Sequence, residues 1–179
     1  MLTLIVRLAV CTTVLVFVTG MQFGFSHGRG LRGLRLLLGV SILAAVVSAI
    51  RSAWIVQASS ILSVASGVTL SALGVGLFLY SLSRHPTRPG KAFAGEAPAG
   101  FLSNGPYRLA RHPIYLSYLL ALSGTALLCK SWLMVCLTVW MAILYWAAAR
   151  MEERLLLRSA SGTQYELYRQ QVGMFCPWP

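Results

Sequence analysis

Long apolar runs, broken by short basic interruptions, dominate the chain. A helix needs about 20 apolar residues to cross the hydrocarbon of a bilayer. Five runs approach that length, at about 2–19, 35–50, 60–82, 113–129 and 131–149. The pattern predicts an all-α polytopic membrane protein with about five transmembrane helices. The third run lies inside a longer apolar stretch, 53–83, which is too long for one upright helix and too short for two. Gln57, Ser59 and Ser60 mark its expected end. Runs four and five are joined by little more than "CKS", so they should form a tight antiparallel hairpin. The fifth helix should continue beyond the membrane to about Ser159. The first run has an early Arg7, but no small-x-small cleavage site precedes Gly20, so it is read as a span and not as a signal peptide.

Composition strengthens this reading. The 179 residues are 57% hydrophobic and 11% charged, with mean hydropathy +0.71. A soluble domain is about a quarter charged. Residues 1–179 therefore read as a single integral membrane domain. Fifteen Lys and Arg face four acids, a net charge of +11. In so apolar a chain the excess marks loops against anionic lipid, and no nucleic-acid partner is expected. If the N-terminus is outside, Arg29, Arg32, Arg35, Arg84, Arg88, Lys91, Arg108, Arg111, Arg150, Arg154, Arg158 and Arg169 are cytoplasmic. Only Arg7, Arg51 and Lys130 are then outside. That asymmetry orients the protein with a cytoplasmic C-terminal helical tail. The 83–112 loop and the 150–179 tail then share one side, and the hairpin brings residue 112 next to residue 150. Gly67, Gly74, Gly76 and Gly124 should supply the small faces that helices in lipid pack through. The Pro/Gly/Ala-rich loop 85–100 is long enough to act as a lid. Cys11, Cys129, Cys136 and Cys176 lack metal-ligand spacing, and no metal is expected.

Polar chemistry gathers in two places. "GPYRLARHPIY" opens the fourth run, with Pro113 suited to the first helical position and His112 to the N-cap. Glu152 and Glu153 follow the fifth run. Adjacent helical residues point about 100° apart, so the two should not share one partner. One is expected to face a site while the other pairs with Arg150. Arg150, Arg154 and Arg158 recur every four residues, a stripe suited to lipid headgroups. "RHP" also occurs at Arg84–Pro86, without the preceding GPY or the following Tyr. That copy reads as the basic end of the third span plus a turn.

Taken together, "NGPYRLARHPIY", an apolar hairpin, "ARMEERLL" and "SGTQYELYRQQV" appear in order over about 104–172. This resembles the isoprenylcysteine carboxyl methyltransferase and phospholipid N-methyltransferase superfamily of small integral membrane enzymes. The chain departs from that pattern in its tail, "GMFCPWP", and in the Gly/Ala/Pro-rich 85–103 loop. The resemblance implies transfer of a methyl group from S-adenosyl-L-methionine to a lipophilic acceptor that enters from the membrane. It places the cofactor at the cytoplasmic face, between about 104–118 and 146–172. It implies cofactor-binding roles for Tyr107, His112, Pro113, Tyr115, Glu152, Tyr165 and Tyr168, and catalytic roles for Arg111, Glu153 and Arg154. A prenylcysteine carboxyl group is the first-choice acceptor, ahead of a phosphatidylethanolamine amine, and a small hydrophobic thiol is also left open. Two rival readings are an NADPH-dependent steroid-reductase-like enzyme and a non-enzymatic scaffold. The adjacent glutamates speak against the first. The lack of polar residues at mid-membrane depth speaks against a transporter-like version of the second.

Overall fold

In the computed structural model, residues 1–23, 32–55, 60–85 and 101–178 are described. They form six helices and, among these residues, no strand: α1 Leu2–Phe23, α2 Arg32–Ile55, α3 Ile61–Ser83, α4 Pro113–Cys129, α5 Trp132–Leu157 and α6 Gly162–Arg169. A 3₁₀ turn over Gly105–Arg108 precedes α4. The expected loop at 85–100 falls, beyond His85, outside the described residues.

Four helices are long and apolar enough to cross a membrane: Leu2–Gly20, Arg35–Ile55, Ile61–Ser83 and Trp132–Leu157. The predicted fourth span, α4, is apolar but only 17 residues long. Its ends explain its length. Pro113 at the first helical position starts it, and Lys130 in the left-handed conformation (φ 47°) stops it. Ser131 then caps α5, its hydroxyl accepting the Met134 N–H at 3.4 Å. Ser60 caps α3 in the same way through Ser63 N–H at 3.3 Å. Hydroxyls within the apolar helices donate to carbonyls one turn back, as Thr13 does to Ala9 and Thr125 to Ala121. No polar hydrogen is then left facing hydrocarbon at those positions.

The helices alternate in direction, and α4 packs most extensively against α3. Glycines make that seam. A Cβ on Gly74 would lie 2.8 Å from Ser117 O, and one on Gly67 would meet the Leu128 side chain at 2.7 Å. Gly76, expected on the same seam, has nothing within 4 Å of such a Cβ. It lies two residues, about 200° of helix, from Gly74, and so faces away. At one end of the bundle Arg7 donates to the carbonyls of Ala53 and Trp54 and lies over the Trp54 ring, tying α1 to α2. At the other end the start of α4 meets the end of α5. Phe17, Phe78 and Tyr118 interlock just inside that end, with centroids 4.7–5.4 Å apart.

Candidate functional site

Pro113 forces the preceding residue out of the helical region, and His112 adopts φ −123°, ψ 64°. Its side chain makes no cap and turns instead toward α5. Nδ1 lies 3.6 Å from Glu152 Oε2, and Nε2 lies 3.3 Å from Glu153 Oε1. One partner thus serves both glutamates, contrary to the expectation from their 100° offset. The imidazole carries nitrogens on two edges, so a ring wedged between the carboxylates reaches each with a different atom. Nor does either glutamate pair with Arg150, whose guanidinium lies 5.2 Å from the Trp146 ring centroid.

Glu153 is the hub, only 3% exposed. Arg111 Nε approaches its Oε1 to 3.1 Å but off the N–H direction, giving an ion pair without an aligned hydrogen bond. Arg111 Nη1 donates to Arg169 O at 3.3 Å. Tyr165 faces Glu153 and favours its charged form. Burial, and then the Glu153 charge, push the Tyr165 hydroxyl well above the usual tyrosine range. Burial likewise pushes Tyr168 up to about 12. Both phenols therefore stay protonated near neutral pH. Tyr168 gives its proton to the Tyr107 carbonyl at 2.5 Å.

Glu152 is the more open carboxylate, its side chain 28% exposed. It accepts from the Tyr115 hydroxyl at 2.5 Å. Tyr115 stacks on His112 (5.6 Å, 12°) and on Tyr145 (5.0 Å, 11°), and Tyr145 stacks on Tyr118 (5.6 Å, 25°). An aromatic column thus runs from the charged cluster into the apolar bundle.

The fold therefore gathers Arg111, His112, Pro113, Tyr115, Glu152, Glu153 and Tyr165, with Tyr107 and Tyr168 joined behind them. Arg154 is exposed and stands outside the cluster. Four contributions were not anticipated from the sequence. Tyr118 and Tyr145 extend the column; their signal is helical spacing, Tyr118 three residues after Tyr115 and Tyr145 seven before Glu152. His85, from the first RHP, bonds the Tyr107 hydroxyl through Nε2 at 2.5 Å, edge-on to its ring. Burial lowers its pKa, so it meets Tyr107 as a neutral ring. Phe101 stacks on Tyr168 and meets Tyr165 edge-on. The fourth is the tail, which read only as a departure. Gly173 O accepts Arg111 N–H at 2.9 Å, Met174 O accepts His112 N–H at 3.1 Å, and the Phe175 ring lies 6.3 Å from His112.

Deleting residues 173–179 leaves those two N–H groups without their acceptors. The cost should be about 2 kcal/mol, at roughly 1 kcal/mol for each hydrogen bond lost. A melting temperature several degrees below that of the full chain in detergent is expected. An unchanged value would mean that the tail does not hold the start of α4.

The profile of the phospholipid methyltransferase family matches residues 62–160, more than half of the chain, and takes in α3, the RHP segment, α4 and α5. A methanethiol S-methyltransferase of Mycobacterium tuberculosis (strain ATCC 25618 / H37Rv) is 39% identical over 80 residues. That alignment covers 45% of this chain and 32% of the relative, so the chain spans about a third of that relative's length. No solved structure matches the chain. With more than half of its length under the family profile, the chain belongs to the phospholipid methyltransferase family of small membrane methyltransferases.

Proposed function

We propose that the chain methylates a small thiol, using S-adenosyl-L-methionine, at the cytoplasmic end of a five-span bundle. The observation that carries this reading is the buried cluster in which His112 bridges Glu152 and Glu153 at the meeting of α4 and α5. The twelve-to-three distribution of basic residues supports a cytoplasmic site, an outside N-terminus and α4 as a crossing, the fourth of five.

The donor set fits the cofactor. Glu152, whose side chain is 28% exposed, would receive an ammonium or ribose hydroxyls. When bound, the cofactor would supply an activated methyl group, its departing sulfur becoming a neutral thioether while the acceptor thiol's proton passes to solvent. The protein's work is positional. Glu153, Arg111 and Tyr165 form a rigid base that fixes His112. Pro113 sets the angle at which the ring leaves α4, while Tyr107 and Tyr168 wall the base from α6. Packed aromatic rings exclude water, and excluding water and aligning the reactants are what such a displacement needs. Arg154 is better suited to a lipid headgroup or acceptor at the rim than to the reacting atoms.

A thiol suits this site better than the prenylcysteine carboxyl first expected. The relative's name gives a methanethiol acceptor for a protein that shares this part of the chain.

Calorimetric titration of detergent-purified protein with S-adenosylmethionine, and separately with NADPH, tests the reading. S-adenosylmethionine should bind, and His112→Ala should weaken it at least tenfold, about 1.4 kcal/mol. Heat from NADPH with none from S-adenosylmethionine would sink the proposal.

A further inference from the structure

An apolar cleft, partly open along its side, encloses about 70 Å³ between α1 and α2 on one side and α4 and α5 on the other. Phe17, Ala45, Val46 and Met141 line it, and Tyr118 and Tyr145 bound it. Those two tyrosines are the inner end of the aromatic column whose outer end is His112. The cavity therefore abuts the candidate site from the membrane side, one ring beyond Tyr115.

Two of its polar groups are committed. Thr13 and Thr125 line it, but each donates to a carbonyl of its own helix. The Tyr118 hydroxyl is different: it is buried and has no partner among the described residues. A buried hydroxyl without a partner is uncommon and calls for one. The volume then limits what the partner can be. A cavity of about 150 Å³ holds benzene, six heavy atoms. About half that space encloses roughly three heavy atoms. An apolar wall with one hydrogen-bonding group describes a molecule with a very short alkyl chain and one weakly polar atom.

We propose that this cavity is the acceptor pocket, that it admits alkanethiols of one or two carbons, and that the Tyr118 hydroxyl meets the thiol sulfur. The proposal rests on the methyl-transfer reading above and adds to it a place and a size limit.

The test uses purified protein in detergent with saturating S-adenosylmethionine and three probes: methanethiol, ethanethiol and octanethiol. Wild type should turn over the two short thiols with kcat/KM at least tenfold above that for octanethiol. Ala45→Leu and Val46→Phe, which fill the cavity from α2, should raise KM for ethanethiol at least tenfold and leave the dissociation constant of S-adenosylmethionine within twofold. Tyr118→Phe should raise KM for both short thiols by about fivefold, again without moving cofactor binding. In the absence of cofactor, ethanethiol should raise the melting temperature of wild type but not of Ala45→Leu. Octanethiol used as well as ethanethiol, with KM indifferent to all three substitutions, would overturn the pocket and leave the methyltransferase reading standing. Cofactor binding with no transfer to any of the three thiols would instead overturn the thiol reading on which the pocket rests.

Discussion

Glu153→Ala is expected to cause the largest loss of any single substitution at the site, in both stability and cofactor binding. The carboxylate is 4% exposed at its side chain and faces Arg111, which is 10% exposed. His112 and Tyr165 also lean on it. Deleting it strands a guanidinium that has little access to water. Breaking a buried pair from one side costs about 3–5 kcal/mol, most of it the uncompensated charge. That is a large fraction of the stability of an ordinary domain. The melting temperature in detergent should fall by ten degrees or more, and S-adenosylmethionine binding should drop below detection. Glu153→Gln separates the two effects. It keeps the shape and an acceptor for Tyr165 but loses the charge opposite Arg111, so it should fold better than Glu153→Ala and still bind cofactor at least tenfold more weakly. Double replacement with Arg111→Met should recover part of the lost stability, because it removes the stranded charge. If Glu153→Ala melts with wild type, the ion pair is not the hub described here.

That hub shows what the sequence could and could not convey. Span positions were legible because hydrocarbon imposes a length and a composition on any helix that crosses it. The predicted first and second spans fall inside α1 and α2, the fourth coincides with α4, and the third and fifth each start one residue before α3 and α5; α5 runs on to Leu157, close to the expected Ser159. The meeting of His112 with Glu152 and Glu153 was legible from topology, since a tight hairpin must return its two outer ends to one place. Side-chain reach was not. Helical offset describes where Cα–Cβ bonds point, and it misses an imidazole wide enough to touch two carboxylates at once. The tail was illegible for another reason. Gly173 and Met174 contribute only backbone carbonyls to Arg111 and His112, and a carbonyl carries no signature in the residue type. The first RHP was judged by its neighbours in sequence, while its His85 contacts Tyr107, 22 residues away.

Gly124→Ala should destabilise the protein, although elementary helix propensity predicts the opposite. Within a helix, alanine is favoured over glycine by about 1 kcal/mol. Geometry decides the sign. A Cβ at Gly124 would lie 2.4 Å from Ser71 Oγ, 2.7 Å from Gly67 O and 2.7 Å from Ser71 N, where real Cβ contacts essentially never fall below 3.0 Å. The Ser71 hydroxyl can rotate away. The Gly67 carbonyl and the Ser71 amide cannot, because both belong to the backbone of α3. The helices must therefore separate along their tightest seam, and overpacking of this kind costs about 1–3 kcal/mol. The propensity gain offsets only part of that at the upper end, and the lost contacts around Gly67 and Gly74 add to the deficit. The net expectation is a loss of about 1–2 kcal/mol. Gly76→Ala is the control: its Cβ meets nothing within 4 Å, so only the propensity gain acts and the melting temperature should hold or rise. The seam also bears on function, since α4 begins at Pro113 and any tilt of α4 displaces His112 from the two glutamates on α5. Gly124→Ala should therefore weaken S-adenosylmethionine binding from about 17 Å along the helix axis, roughly 1.5 Å for each of the eleven residues between 113 and 124. Thermal unfolding and calorimetry on the two variants side by side decide the matter. Gly124→Ala melting at or above wild type would show that α3 and α4 are not held backbone to backbone.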